Sequence, residues 1–323
     1  MGIKTYSHSE FLDAEFPVTP LLAGDILDAG EKMIMYGPSE AGKSYLVMQM
    51  ALELAAGGSW FGYDVVRRCR VLILQSELSI GRYQERYTRM AKSYTTDLDV
   101  HVATIESLKL DTNEGKALFQ ECVALVVPDI VIVDPFRAFF SGDENESQHV
   151  ERVFNSVAEA QVDPPFAFVY VHHVRKSQQG TWGDGGSKAA ARGSGLVTDR
   201  PSTAISLTVN NEQTQWTMSF TKTRNRHKRP EDILLQVNYK TGLFEPHEDV
   251  SPTTIYVERV MAVLNGEERK QTDLQQALST KHETEYRATY DWIAAAERQG
   301  RITRHTMPGQ GGPKMVVPVV VET

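Results

Sequence analysis

Gly37–Ser44 reads GPSEAGKS, an instance of G-x-x-x-x-G-K-S, and the rest of the chain becomes legible by working outward from it. Gly37 and Gly42 allow a tight turn and a close approach of backbone to a phosphate. Such a loop aims backbone N–H groups at an anion, and the helix that follows adds its positive N-terminal end. Lys43 supplies a point charge for the β- and γ-phosphates, and Ser44 a hydroxyl for Mg²⁺. The expected nucleotide segment is therefore Gly37, Pro38, Ser39, Glu40, Ala41, Gly42, Lys43, Ser44 and Tyr45, with ATP and Mg²⁺ as ligands. Both flanks suit the motif. Residues 32–36 (KMIMY) form a short apolar run fit for a buried strand, and residues 45–56 (YLVMQMALELAA) are helix formers with apolar residues at helical spacing.

The chain has 323 residues, 41% of them hydrophobic and 24% charged, which is enough for one large or two ordinary globular domains. It contains no apolar stretch of membrane-spanning length, and its first residues lack an apolar signal core, so the expectation is a cytoplasmic protein. Cys69 and Cys122 offer no disulfide framework and no metal pattern, and read as core or near-core thiols. The net charge of −8 excludes a surface coated for DNA, though not a local basic site. Residues 251–323 hold 9 Lys/Arg and 9 Asp/Glu, so the deficit lies in the other 250 residues, at 25 against 33.

Apolar runs at 70–75, 100–105, 130–133 and 166–171 alternate with helical patterns at 79–93, 114–127 and 147–161. That alternation predicts an α/β domain on a largely parallel sheet, in which ligands bind beyond the carboxyl ends of the strands. Gly37, Glu77, Asp134 and His172-His173 all fall at such ends, so four polar strand ends are expected to meet on one edge. Residues 1–31 read as a lead-in packed on this domain. Residues 175–195 are too glycine-rich for a stable element. Alternating β-prone runs at 202–209, 215–222 and 234–238 predict an antiparallel extension of the sheet, interrupted by the basic segment KTRNRHKR, residues 222–229. A boundary near residues 246–252 divides the chain into 1–250 and 251–323. The second part reads as three helices (254–264, 272–278, 283–299) and a two-stranded hairpin, the winged-helix pattern.

The strand-end residues each carry a chemical and a structural reading. Asp134 is placed to hold Mg²⁺ through its water shell, or caps the turn at Pro135. Glu77 is placed to orient or deprotonate an attacking water, or caps the next helix. One of His172 and His173, whose side chains alternate across the strand, is placed to bond a phosphate oxygen; the pair lacks further His or Cys for a zinc site. Lys222 and Arg224, at alternate positions, suit delivery to a γ-phosphate across a subunit interface, or are a solvated charge run.

GPSEAGKS, the Glu of LQSE, IVIVDP followed by SGDENES, VHHVRK, RGSG and KTRN together resemble RecA-fold hexameric ATPases of the RepA type. These are replicative helicases of plasmids and mobile elements, kin of the DnaB helicases. The likeness covers roughly residues 20–245. By position it implies that Lys43 and Ser44 are phosphate and magnesium ligands, Glu77 the catalytic base, Asp134 the Mg²⁺ ligand, and His172 or His173 the γ-phosphate sensor. Lys222 and Arg224 become the pair acting in trans. It also implies a homo-oligomeric, hexameric ring gripping single-stranded DNA, with residues 176–195, and in them Lys176, Lys188 and Arg192, as the DNA loop. The chain departs from the family in lacking a primase-binding N-terminal domain and in adding the winged helix. There Arg287, Tyr290 and Arg298 on the third helix, and Arg301, Arg304 and Lys314 on the wing, are the DNA candidates. The same module on other proteins binds protein alone, so a replication partner is the other expectation. The functional expectation is an ATP-dependent helicase acting on single-stranded DNA. A regulator or recombination ATPase that assembles on DNA without unwinding is the second, and a small-molecule kinase the third.

Overall fold

The computed structural model describes residues 5–16, 18–95, 97–104, 108–142, 146–161, 163–173, 195–210, 214–247, 252–282, 284–298, 300–307 and 312–319. The chain forms two compact units, Met1–Glu231 with Leu235–Glu245 and Asp232–Leu234 with Pro246–Thr323.

The main sheet of the first unit comprises, in chain order, β1 (Lys32–Gly37), β2 (Val71–Gln75), β3 (Val100–Thr104), β4 (Ile130–Asp134), β5 (Ala167–His173), β6 (Thr203–Val209), β7 (Trp216–Thr223), β8 (Ile233–Val237) and β9 (Phe244–Pro246). Among the described residues its order is β9-β8-β7-β6-β1-β5-β4-β2-β3. From β6 to β3 all neighbours are parallel, and β7 pairs with β6 antiparallel. The central strands are apolar throughout because both faces are covered. On one face Ile34, Tyr36, Leu72, Leu74, Val131, Val133, Phe168 and Tyr170 pack with Phe119 and Val123 of helix Asn113–Val126 and with Val150, Val153, Phe154 and Val157 of helix Ser147–Glu159. The alternate residues Met33, Met35 and Ile73 are equally buried, and helix α1 (Lys43–Ala56) runs across β1, β2, β3, β4 and β5. Helix α2 (Ile80–Ala91) follows β2.

Several boundaries differ from the sequence reading. The two histidines are the last residues of β5 rather than the residues after it, and Asp134 closes β4. Within the lead-in, Leu21, Leu22, Ile26 and Leu27 are fully buried and Thr203 Oγ1 donates to Ile26 O at 2.8 Å, whereas helix His8–Asp13 buries nothing. Strand β9 has no counterpart in the sequence pattern. It is tied to α1 by Gln49, whose Nε2 donates to Phe244 O at 2.9 Å and whose Oε1 accepts from Phe244 N at 2.8 Å. Cys69 is buried and Cys122 half-buried, both as free thiols.

The second unit contains helices α3 (Pro252–Leu264), α4 (Gln271–Lys281) and α5 (Ala288–Arg298) and an antiparallel sheet of Arg269–Lys270, Lys314–Pro318 and Ile302–Thr306, in that spatial order. Val257, Val260, Leu274, Leu278, Ile293, Ala296, Ile302 and Val316 form its core. The third helix starts at Ala288, five residues later than the pattern suggests, because Thr284 N bonds Ser279 O and Ser279 Oγ donates to Thr284 O, making residues 284–287 a turn. Among the described residues no helix is long and apolar enough to cross a membrane.

Candidate nucleotide site

The strand order brings four carboxyl ends side by side. Gly37 pairs with His173, Tyr36 with His172, and Gln75 with Asp134, so the ends of β1, β5, β4 and β2 stand level in adjacent positions. The loop from Gly37 to Lys43 leaves β1 at that edge and enters α1. A side chain on Gly37 is excluded, since a Cβ there would lie 2.1 Å from Leu207 O. Gly42 has φ +87° and faces the Phe244 ring, 2.8 Å from where a Cβ would stand, so only glycine fits this α1 N-cap without strain.

Lys43 is 3% exposed, and its Nζ donates to Gly37 O at 3.0 Å and Pro38 O at 2.5 Å, closing the loop on itself. Burial lowers its pKa to about 8, against the opposing pull of Asp134 and Glu77. Asp134 is buried, and burial raises its carboxyl to about 6, with the Ser44 hydrogen bond pulling down and Glu77 pushing up. Its Oδ1 is buried with no hydrogen-bond partner among the described residues. Ser44 and Asp134 thus form a buried hydroxyl–carboxylate pair with one oxygen unsatisfied, a donor set that fits Mg²⁺ completed by water and phosphate oxygens. The cation would supply charge neutralisation on the β- and γ-phosphates. Among the described residues no group of three or more His, Cys, Asp or Glu is gathered for a metal, so a protein-only cage is not present there.

Glu77 is exposed and lies in the turn after β2. Buried Gln75 braces that turn: Nε2 donates to Leu78 O at 3.0 Å and Thr104 Oγ1 at 2.6 Å, and Oε1 accepts from Leu78 N at 3.1 Å. Glu77, Ser44, Tyr45, Asp134, Tyr83 and Arg86 line one small cleft. His172 is buried, and burial followed by the charge on His173 lowers its pKa to about 4. His173 is half-buried, and its pKa is lowered by burial and by Lys43, with Glu77 opposing. Both imidazoles are held toward the neutral form, able to donate from one nitrogen and accept at the other.

Arg86 is the site residue that the sequence reading does not single out. Its guanidinium carbon stands 5.0 Å over the Tyr45 ring, and its charge draws the Asp134 pKa down. Arg82, Arg86 and Arg89 are spaced along α2, but only the rotation of that helix sorts them. Arg89 Nη2 donates to Tyr45 Oη at 3.1 Å, while exposed Arg82 pairs with Glu85 at 2.7 Å.

The other expected residues lie elsewhere. Thr203 pairs with both Met33 and Thr223, so Lys222 and Arg224 sit at the amino edge of β1, on the order of 13 Å along the strand from Gly37. Arg224 falls just past the end of β7, and both cations bond carbonyls of the short helix Gly195–Asp199. In the second unit Arg287 is exposed, Arg301 pairs with Glu258 at 3.3 Å, and Arg304 pairs with Glu297. Lys176, Lys188 and Arg192 lie outside the described residues.

A phosphate loop between a central parallel strand and its helix, with acids at the ends of two further strands and a strand inserted between the loop strand and the aspartate strand, defines the RecA-like class of P-loop ATPase folds. The chain belongs to the AAA domain family (AAA_25), whose model matches residues 4–179, more than half of the sequence. Comparison with curated proteins gives no match. Among solved structures the fold is similar to a helicase ATPase domain, with TM-score 0.51 and 10% identity over 67% of this chain and 84% of that one. Also similar are the flagellar accessory protein FlaH from Methanocaldococcus jannaschii (TM-score 0.47, 12% identity, 70% of this chain and 92% of that one) and a KaiC-like protein from Pyrococcus horikoshii OT3 (TM-score 0.49, 10% identity, 70% and 94%).

The depressed His172 pKa has a stability consequence. The folded state binds this proton more weakly than the unfolded chain, so its contribution is complete above about pH 6.5 and is lost as pH falls toward 4. Denaturant unfolding between pH 7 and pH 4 should show wild type losing up to about 3 kcal/mol more than His172→Gln. Equal pH slopes would show that His172 is charged in the folded protein.

Proposed function

We propose that this chain is an ATP-hydrolysing, oligomeric RecA-like motor whose active site is completed by a neighbouring subunit, and that it works as a RepA-like helicase on single-stranded DNA. In this reading Glu77 accepts a proton from water as the water oxygen bonds the γ-phosphorus and the bond to the β–γ bridging oxygen breaks, giving ADP and phosphate. Ser44 and Asp134 hold Mg²⁺, Lys43 the phosphates, and His173, which feels both Lys43 and Glu77, the γ-phosphate.

The observation that carries the shared site is the position of Lys222 and Arg224. Both are at the sheet edge opposite the phosphate loop of their own chain, so a role at a γ-phosphate requires a second copy. The single-stranded DNA partner rests on the motif resemblance and on Lys176, Lys188 and Arg192. The second unit, read as a winged helix, suits a protein partner better than DNA. Arg301 and Arg304 are already paired with Glu258 and Glu297, and Asp291 is exposed on the third helix beside Tyr290. Phosphates there would meet an exposed acid and compete with intramolecular carboxylates.

Three measurements test this. Glu77→Gln should bind ATP within a few-fold of wild type and turn it over roughly 100-fold more slowly, while Lys43→Ala loses binding as well. Wild-type turnover by Glu77→Gln would move the base elsewhere, with Asp143 and Glu144 the next to test. Arg224→Ala subunits mixed with Lys43→Ala subunits should regain ATPase activity above either alone, because one interface class in a mixed oligomer has both parts intact. No gain in oligomers shown to be mixed would remove the trans assignment. Neutralising Lys176, Lys188 and Arg192 together should lower the salt slope of single-stranded DNA binding by about 2 while basal ATPase persists. An unchanged slope excludes the loop, and ATPase without unwinding of a forked duplex favours the non-unwinding DNA ATPase.

A further inference from the structure

Tyr170 lies in β5 two residues before His172, so the two side chains share a face of the strand. Its ring is fully buried, 4.5 Å from Phe136 and 5.7 Å from Phe154 by ring centroids. Burial raises its pKa well above the usual phenol value, so the hydroxyl keeps its proton and remains a donor. That hydroxyl donates to Val197 O at 2.6 Å. Val197 belongs to helix Gly195–Asp199, which is too short to satisfy its own last carbonyls. The next two carbonyls are taken by the cation pair. Lys222 Nζ donates to Thr198 O at 3.0 Å and Asp199 O at 2.8 Å, and Arg224 Nη2 donates to Asp199 O. Three consecutive carbonyls are therefore held by three side chains, one from β5 and two from the end of β7.

We propose that Tyr170 is a positioning residue for the Lys222–Arg224 pair: its buried hydroxyl sets the carbonyl end of the Gly195–Asp199 helix, and that carbonyl end sets the two cationic heads. The inference rests on the trans role given to the pair above. Long cationic side chains at a strand end sample many rotamers, and a fixed row of acceptors confines them at little cost when a partner's phosphate arrives. Charge-assisted bonds to carbonyls are strong enough to hold them, and the guanidinium presents five N–H donors in a rigid fork, of which the Asp199 contact engages one arm. The link also joins β5, which ends in His172 and His173 at the phosphate edge, to the opposite edge where the pair stands.

The test is Tyr170→Phe, which keeps the ring and its contacts with Phe136 and Phe154 and deletes only the donor. Nucleotide affinity should match wild type, which also reports the fold, while turnover falls roughly tenfold with KM for ATP unchanged within twofold. The distinguishing readout is which side of the interface carries the defect. Mixed with Lys43→Ala subunits, Tyr170→Phe subunits supply an intact phosphate loop and receive an intact cation pair, so activity should rise as it does for Arg224→Ala. Wild-type turnover by Tyr170→Phe overturns the proposal. So does a Tyr170→Phe mixture that regains nothing while the Arg224→Ala mixture does, since Tyr170 then acts on its own subunit's site. If neither mixture regains activity, the trans reading itself falls and this inference with it.

Discussion

A buried ammonium closed onto the carbonyls of its own loop is the constraint on which the candidate site depends. Lys43 is almost without solvent, and its bonds to Gly37 O and Pro38 O stand in for the anion that the loop is shaped to receive. A buried charge is tolerated only when paired or hydrogen-bonded, so the loop, Asp134 and Glu77 must be where they are for Lys43 to stay charged. The burial that lowers Lys43 also raises Asp134, and the two groups partly offset one another. A ligand bringing phosphate and a divalent cation would relieve both, giving the anion to Lys43 and the cation to the unsatisfied oxygen of Asp134.

The sheet turns this local arrangement into a site. Parallel strands point their carboxyl ends the same way, and the order β1-β5-β4-β2 puts the loop, the histidines, Asp134 and the turn bearing Glu77 in consecutive positions. The same parallel geometry has a second consequence at the far edge. Strand β7 returns antiparallel, so residues after Thr223 emerge where β1 begins, and Lys222 and Arg224 are carried away from the loop of their own chain. One topological fact thus assembles the phosphate edge and separates it from the cations. An oligomer in which the amino edge of one copy faces the carboxyl edge of the next would unite them.

The electrostatics of the two units differ in kind. In the first, charges are buried and mutually dependent, and pKa values move in directions set mainly by desolvation. In the second, Arg301, Arg304 and His305 meet Glu258, Glu297 and Glu268 at the surface, pairs that contribute little to stability and leave the face near neutral. The core of that unit is instead apolar, with Tyr256 and Trp292 stacked at 5.2 Å and Arg259 lying over the Trp292 ring. Such a face recognises by shape and apolar contact rather than by field.

The sequence by itself determined whatever depends on neighbours along the chain. The glycines and lysine of the phosphate loop are readable because a tight turn, a close approach and a single charge need those residues at that spacing. The alternation of buried strands with helices is readable because the period of apolar residues is a local property, and each polar strand end follows from where its apolar run stops. Tertiary structure decided what depends on neighbours across the chain. The insertion of β5 between β1 and β4 is invisible in a linear order of strands. The rotation of α2 chose Arg86 for the cleft and left Arg82 on the surface, although both have helical spacing. The pairing of Arg304 with Glu297 withdrew a cation that looks free in the sequence. The chain from Tyr170 through Val197 and Thr198 to Lys222 joins residues 27 positions apart at its first link and 24 at its second, by hydrogen bonds to backbone carbonyls, and a carbonyl carries no mark in the sequence. Packing and hydrogen-bond closure are non-local, and that is where the reading of residues in order came to its end.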